Sequence, residues 1–436
     1  LDELQQKGIN TIHILPVTPV GKTKALGTAG SLYSASSFDT INPQLVNLSS
    51  RLSAKEQVSK FINEAHKRGL AIIIDLPSCG SYDLYLKRPE LFVKDKSNQP
   101  VIPSDWTDVR LFNAGDETVI NSEVYNLYKG FVDMVINLGA DGIRADVATS
   151  KPAKFWNELI SYSRRKDPQF LWLAEAFDKG EGISEYTVFT PYNKLLEAGF
   201  DGYYGGFTNF KDFKSGKELT SLMSSTINAL SKYQETKSVI GSFTTHDEMS
   251  PILINGPKLS EMIIWLNATL PVNSYFVDGF DTGDSYLYMW GNKEAPKTYT
   301  DDDIYFVHRG KIDIFNFSRK PGGTEENLLM NFIIANGVKR QFANLINFGK
   351  FVPLKTNAQT VFAYAMSYDG KSIFVTGNLD FRKNVEVTVT VPKLTDKVSA
   401  LPIKIDSIPI IDHGKFTVTL KPGEIQMFVF DNLEIK

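Results

Sequence analysis

The chain has 436 residues, 42% hydrophobic and 22% charged, with a formal net charge of −3. That length exceeds one compact core and implies two or three domains, one of them large. The near-neutral charge gives no support for nucleic-acid binding, no run of 18 apolar residues signals a membrane span, and a single cysteine, Cys79, rules out an intrachain disulfide and leans toward a reducing, cytoplasmic compartment.

The first residues, "LDELQQKGIN", carry no signal-peptide pattern. They read as an amphipathic helix entering a strand, so the chain is expected to start inside a domain whose first strand is missing. "INTIHILPV" (Ile9 to Val17) is a strand, and "AKEQVSKFINEAHKRG" (Ala54 to Gly69) a helix with a Gly stop. "LAIIIDLP" (Leu70 to Pro77) is a fully buried strand ending in a carboxylate. Residues 80–121, polar and Pro-containing, form a long excursion expected to be functional or a small subdomain. "YNLYKGFVDMVINLG" is a helix, "DGIRADV" a strand, "KPAKFWNELISYSRR" a helix and "FLWLAEAF" a strand. "DGYYGG", "SVIGSFTTHD" and "NSYFVDGF" continue the strands, with "KELTSLMSSTINALSKY" and "LSEMIIWLNATL" as helices between them. A second excursion spans Asp281 to Gly323. Such alternation predicts a parallel sheet covered by helices. Seven strands plus one lost ahead of Leu1 fit a (β/α)8 TIM barrel over residues 1–348. From 349 to 436 the period becomes two, with Gly and Asp turns, which predicts a C-terminal antiparallel β-sandwich domain.

"GADGIRADVATSKP" (Gly139 to Pro152) poses the functional question. Side chains alternate along a strand, so Ile143 and Ala145 face the helices while Arg144 and Asp146 face the barrel mouth. A buried ion pair closing a barrel layer would explain one such pair, although it rarely improves on apolar packing. Three further strands end the same way, with Asp75, with Glu175, and with His246 followed by Asp247. A single strand-end carboxylate could be a helix cap; four at one rim describe a site, on the face where barrels place their chemistry.

Retaining glycoside hydrolysis needs two carboxylates about 5 Å apart, one attacking the anomeric carbon and one shuttling a proton. Arg144 beside Asp146 is expected to keep that carboxylate ionised. The apolar residues around Glu175 (Leu173, Ala174, Ala176, Phe177) are expected to raise its pKa into an acid's range. Aromatic residues at 12% mostly fill a core, and a sugar cleft would use a few of them for stacking.

These residues resemble the signature segments of the α-amylase superfamily, glycoside hydrolase family 13. The family pattern is Gly-x-Arg-x-Asp on strand four, Glu on strand five and His-Asp on strand seven, matched here by "GIRAD", "LAEAF" and "TTHDE". The resemblance implies Asp146 as nucleophile, Glu175 as acid/base and Asp247 as transition-state stabiliser. Arg144, His246 and Asp75 then bind the reacting glucose, with Tyr33 of "GSLYSASSFDTINP" as the stacking tyrosine. The match runs in order through nearly the whole chain.

There are departures. Strand three of the family reads Asp-x-Val-x-Asn-His, and here it is "DLPSCGS", with Cys79 and Gly80 in place of the Asn and His. The Asn commonly helps to hold calcium and the His binds the 6-hydroxyl of the sugar. No metal or cofactor is therefore expected, and the 6-hydroxyl contact is lost or supplied elsewhere. "VATSKP" replaces the Lys-His that often follows the nucleophile. "PVTPVGKTKALGTAGSLYS", "DLPSCGSYDLYLKRPELF" and "DVATSKPAKFW" are more similar to the branch of maltosyltransferases that use maltose 1-phosphate.

The main reading is a retaining α-amylase-type hydrolase of α-1,4-linked oligo- or polysaccharides. The first alternative is an α-glucan maltosyltransferase on the same fold, and a second, of another class, is a non-catalytic carbohydrate-binding or scaffold protein. A barrel using its carboxylates as ligands for Mg²⁺ or Ca²⁺ is a further alternative, opposed by the Arg144 cation next to Asp146. Cys79 reads as a packed strand-end residue and Trp106 as either a cleft or a core residue. His13, His66, His308 and His413 lie outside the motifs and receive no role, and Asp301 to Asp303 read as a solvated turn. The oligomeric state is left open.

Overall fold

The computed structural model describes residues 1–25, 30–104, 106–233, 235–284, 326–392, 398–399, 401–404, 410–431, 433 and 435. They fall into two compact units, one over residues 1–205 and one over 206–284 with 326–436. Most of the second predicted excursion, with Asp301 to Asp303 and His308, lies outside the described residues. Among the described residues no helix is long and apolar enough to cross a membrane.

The first unit alternates helix and strand as predicted: α1 Asp2–Gln6, β1 Thr11–Ile14, α2 Ala54–His66, β2 Ala71–Leu76, β3 Cys79–Ser81, α3 Tyr82–Lys87, β4 Val109–Leu111, α4 Ser122–Leu138, β5 Gly142–Ala145, α5 Ala153–Lys166, β6 Leu171–Ala174, α6 Tyr192–Ala198 and β7 Gly202–Tyr203. Strands β1, β2, β5, β6 and β7 pair in that order, all parallel. This is the curled parallel sheet of a (β/α) barrel. In β6 the outward Trp172 and Ala174 are fully buried under the helices, and Leu171 on the alternate face is 41% exposed.

Local chemistry sets the helix ends. Ser53 and Glu56 form a capping box at α2. Asn121 caps α4 by accepting from the N–H groups of Glu123 and Val124. Gly139 ends α4 at φ 90°, a left-handed conformation that costs glycine little. The apolar stripe of α4, Val124, Tyr128, Phe131, Val132, Val135 and Leu138, is buried. It packs with Phe38, Phe155 and Trp156 into an aromatic layer that continues through Trp172 to Phe200.

Two Gly-x-Asp-Gly segments lead into strands. Asp141 accepts the Ile72 N–H of β2 at 2.6 Å, and Asp201 accepts the Trp172 N–H of β6 at 2.8 Å. Arg164 grips both oxygens of Asp201, each at 2.8 Å. Each aspartate thus ties the start of its own strand to the preceding strand in sheet order.

The 80–121 excursion is a small subdomain. β3 pairs antiparallel with β4, and Cys79, Val101, Val109 and Leu111 form a satellite core against which Trp106 packs. Trp106 therefore belongs to this core.

The second unit opens with α7 Gly216–Ser231, β8 Ser238–Gly241, α8 Pro251–Thr269, β9 Asn273–Ser274 and, further along the described residues, α9 Glu326–Gln341. β8 and β9 are parallel partners. The predicted β-sandwich follows, a five-stranded and a three-stranded antiparallel sheet. Its core centres on Phe374, Phe416, Phe428 and Phe430 with Val387 and Val389. The strand Val361–Tyr368 is buried on both faces, and Gly216 of α7 lies close enough to it that a Cβ would meet the Val361 carbonyl oxygen at 2.1 Å.

Candidate active site

Asp75 on β2 and Arg144 on β5 are direct register partners. The Arg144 guanidinium is 1% exposed and joins three carboxylates. Its Nη1 donates to both oxygens of Asp75, at 3.0 and 3.1 Å, and to Asp146 Oδ1 at 3.1 Å. Its Nη2 forms an ion pair with Glu175 Oε2 at 3.0 Å. On the remaining side Nε donates to the Tyr204 hydroxyl at 3.2 Å, and the guanidinium lies 5.2 Å from the Tyr204 ring centroid. Burial pulls the Arg144 pKa down, but Asp75 and Glu175 outweigh it and hold it well above the usual value.

Asp75 is fully buried. Its Oδ2 accepts the Tyr33 hydroxyl at 2.8 Å and meets His13 Nε2 at 3.1 Å. The Asp146 and Glu175 side chains keep 13% and 14% exposure. Of the three carboxylates on Arg144, those two are the ones accessible to a ligand.

Asp146 is held from the other side by Ser78, whose N–H and Oγ donate to Oδ2 at 3.1 and 2.8 Å. Burial raises the Asp146 pKa, Arg144 lowers it, and the net shift is upward. Arg144 thus acts on Asp146 in the expected direction, against the larger effect of burial. The Glu175 carboxylate meets Arg144 and also accepts the Val147 N–H, the latter at 2.7 Å. Val147 takes up a left-handed conformation, φ 36°, which is an outlier for a β-branched residue and is the kind of strain found beside functional groups.

His246 and Asp247 follow β8 in the second unit. His246 is buried, the Asp247 side chain is 32% exposed, and their Nε2 and Oδ2 atoms lie 3.3 Å apart. The Asp247 N–H donates to Thr245 Oγ1 at 3.2 Å.

Residues missed in the sequence also contact the cluster. His13, given no role there, reaches Asp75. Its signal was the alternation of "TIHI", which sets His13 opposite Ile12 and Ile14. Tyr204 and Ser78 had no comparable signal. The strand-three departure has a packing cause, since a Cβ on Gly80 would lie 2.8 Å from the Phe92 ring and 2.9 Å from Phe112. The space a histidine would need is filled by these rings. Cys79 is buried, and burial pushes its thiol up to about 12, which leaves no nucleophilic thiolate at neutral pH. Among the described residues no group of three or more His, Cys, Asp or Glu is placed to hold a metal ion. The position a cation would occupy among Asp75, Asp146 and Glu175 is filled by Arg144.

No family model matches the chain. Among curated proteins, an alpha-1,4-glucan:maltose-1-phosphate maltosyltransferase of Myxococcus xanthus is 26% identical over 230 residues, 48% of this chain and 32% of that protein. Alpha-1,4-glucan:maltose-1-phosphate maltosyltransferase 2 of Streptomyces coelicolor is 22% identical over 99% of this chain and 63% of its own length. The chain therefore spans between about a third and just under two thirds of these relatives. Among solved structures, a noncanonic maltogenic alpha-amylase from Thermotoga neapolitana superimposes with a TM-score of 0.72 at 19% identity, over 99% of this chain and 92% of that one. The fold is thus that of the α-amylases, a (β/α) barrel followed by antiparallel sheets, and in sequence the chain is similar to maltose-1-phosphate maltosyltransferases.

Proposed function

We propose that this protein is a retaining α-amylase-type enzyme acting on α-1,4-linked glucans through a covalent glycosyl-aspartate. One observation carries the reading: a single buried guanidinium grips Asp146 and Glu175 together and leaves both partly open to a ligand. In the first step an Asp146 oxygen bonds to the anomeric carbon while the bond to the leaving oxygen breaks and Glu175 supplies its proton. To donate, Glu175 must carry that proton and loosen its contacts to Arg144 and the Val147 N–H. In the second step Glu175 takes a proton from water or a sugar hydroxyl, whose oxygen displaces Asp146. Asp247 is inferred to be the third carboxylate, stabilising the oxocarbenium-like transition state. Tyr33, Arg144 and His246 are inferred to hold the reacting ring, with Asp75 acting through Tyr33, His13 and Arg144. The division into a barrel over 1–348 and a sandwich over 349–436 is part of this proposal, as is the cytoplasmic setting that fits a single buried cysteine.

A second reading, maltosyl transfer, is favoured by the names of the curated relatives and by the "DVATSKPAKFW" segment. Hydrolysis and transfer share the covalent intermediate and differ in the acceptor. The test is product analysis after incubation with maltoheptaose, with and without maltose 1-phosphate, beside Asp146→Asn and Glu175→Gln. Shorter products from wild type support hydrolysis, and longer products only with the phosphorylated donor support transfer. Both variants are expected to remain folded and to lose several orders of magnitude in rate. Wild-type turnover in either variant would end the assignment, and an inactive wild type that still binds glucan would favour the non-catalytic reading.

A further inference from the structure

Lys151 lies in the loop between β5 and α5, is 1% exposed and is absent from the chemistry above. Its Nζ donates to the Ser78 carbonyl at 2.8 Å and sits 5.0 Å from the Tyr128 ring centroid and 5.9 Å from that of Trp156. The preceding carbonyl, that of Pro77, accepts the Tyr128 hydroxyl at 2.9 Å. Two successive carbonyls at the end of β2 are thus fixed by donors from α4 and from the loop after β5. The N–H and Oγ–H of Ser78 point the other way, both onto Asp146 Oδ2. The loop carrying Lys151 is itself tied down. Thr190 Oγ1 donates to the Lys151 carbonyl at 2.7 Å, and Trp156 Nε1 to the Ala148 carbonyl at 2.8 Å.

We propose that Lys151 is a positioning residue for Asp146: it holds the Pro77–Ser78 backbone so that Ser78 presents two donors to one carboxylate oxygen while Arg144 orients the other. The inference rests on the reading of Asp146 as the nucleophile. It supplies a part for Ser78, which stands in the altered strand-three segment. A buried ammonium is costly, and a neutral group could satisfy one carbonyl. What the charge adds is an electrostatic effect on the Asp146–Ser78 pair. Burial pushes Lys151 down to about 8, opposed by Cys79 and Asp146, so it remains largely charged at neutral pH. Among the described residues, Asp75, Arg144, Cys79 and Tyr128 also face this pair, and Glu175 lies across Arg144 from it.

The probe is α-maltosyl fluoride, whose leaving group needs little acid help, so its turnover reads the Asp146 step rather than proton donation. Wild type, Asp146→Asn, Lys151→Met and Ser78→Ala are compared for kcat, KM and the pH dependence of kcat/KM, each normalised to active-site concentration. Lys151→Met is expected to lower kcat about a hundredfold with KM within about threefold of wild type, as for a displaced reacting group. Loss of the cation, or of one donor in Ser78→Ala, disfavours ionised Asp146. The acid limb should therefore move to higher pH in both variants, by about one unit. A purely structural role would reduce the folded fraction and leave the limb in place. An unmoved limb in Lys151→Met overturns the proposal. Should that variant not fold, an unmoved limb in Ser78→Ala does so. If wild type releases no more fluoride than Asp146→Asn, the nucleophile assignment itself fails and the positioning role falls with it.

Discussion

Replacing Arg144 with methionine tests whether one guanidinium compensates three carboxylates. The substitution keeps an unbranched stem but removes the guanidinium that joins Asp75, Asp146 and Glu175. Removing one partner of a buried ion pair costs about 3–5 kcal/mol, because a charge stays buried and uncompensated. At about 2–4 °C per kcal/mol for a unit of this size, the melting temperature should fall by roughly 10 °C at pH 7. The loss should depend on pH. Asp146 already has its pKa raised by burial, with Arg144 opposing the rise, and removing Arg144 raises it further. A carboxyl whose folded pKa lies above its unfolded value holds more protons in the folded state, so stability falls as pH rises through that window. The gap between variant and wild type should therefore widen from pH 5 to pH 7. Thermal and urea unfolding followed by tryptophan fluorescence read this, since Trp156 and Trp172 are buried in the same unit. A melting temperature within about 3 °C of wild type at pH 7, or a gap that does not change with pH, would refute the argument.

Asp201→Ala removes the acceptor for the Trp172 N–H and the partner of Arg164. It should lower stability by about 1–3 kcal/mol, with Asp201→Asn recovering part of that in the same urea titration. In the second unit Lys339 on α9 is half-buried, and its Nζ donates to the carbonyls of Asn267 and Val272, each at 2.6 Å. Burial pushes its pKa down to about 7. Its unfolded form then binds the extra proton between about pH 7 and pH 10, so stability contributed through this group rises with pH across that range. Lys339→Met should abolish this rise in melting temperature, and an unchanged slope would count against the assignment.

Much of the fold and the first part of the site are written in local pattern. The 3.6-residue stripe of α4 and the period-two strands Val385–Thr390 and Lys415–Leu420 each follow from how few residues apart like faces recur. Strand alternation likewise put Arg144 and Asp146 on one face and Glu175 at the end of β6. Tertiary structure decided who meets whom and which electrostatic effect prevails. His13 reaches Asp75 from 62 residues away, and Ser78 reaches Asp146 from 68. Neither pairing has a local signature. The sign of the Asp146 shift is a contest between burial and a neighbouring cation, and the depth of burial is a property of the folded packing. Gly80 makes the same point sterically. As a residue it reads as a lost histidine, and only the Phe92 and Phe112 rings, brought against it by the excursion, explain why no side chain fits there.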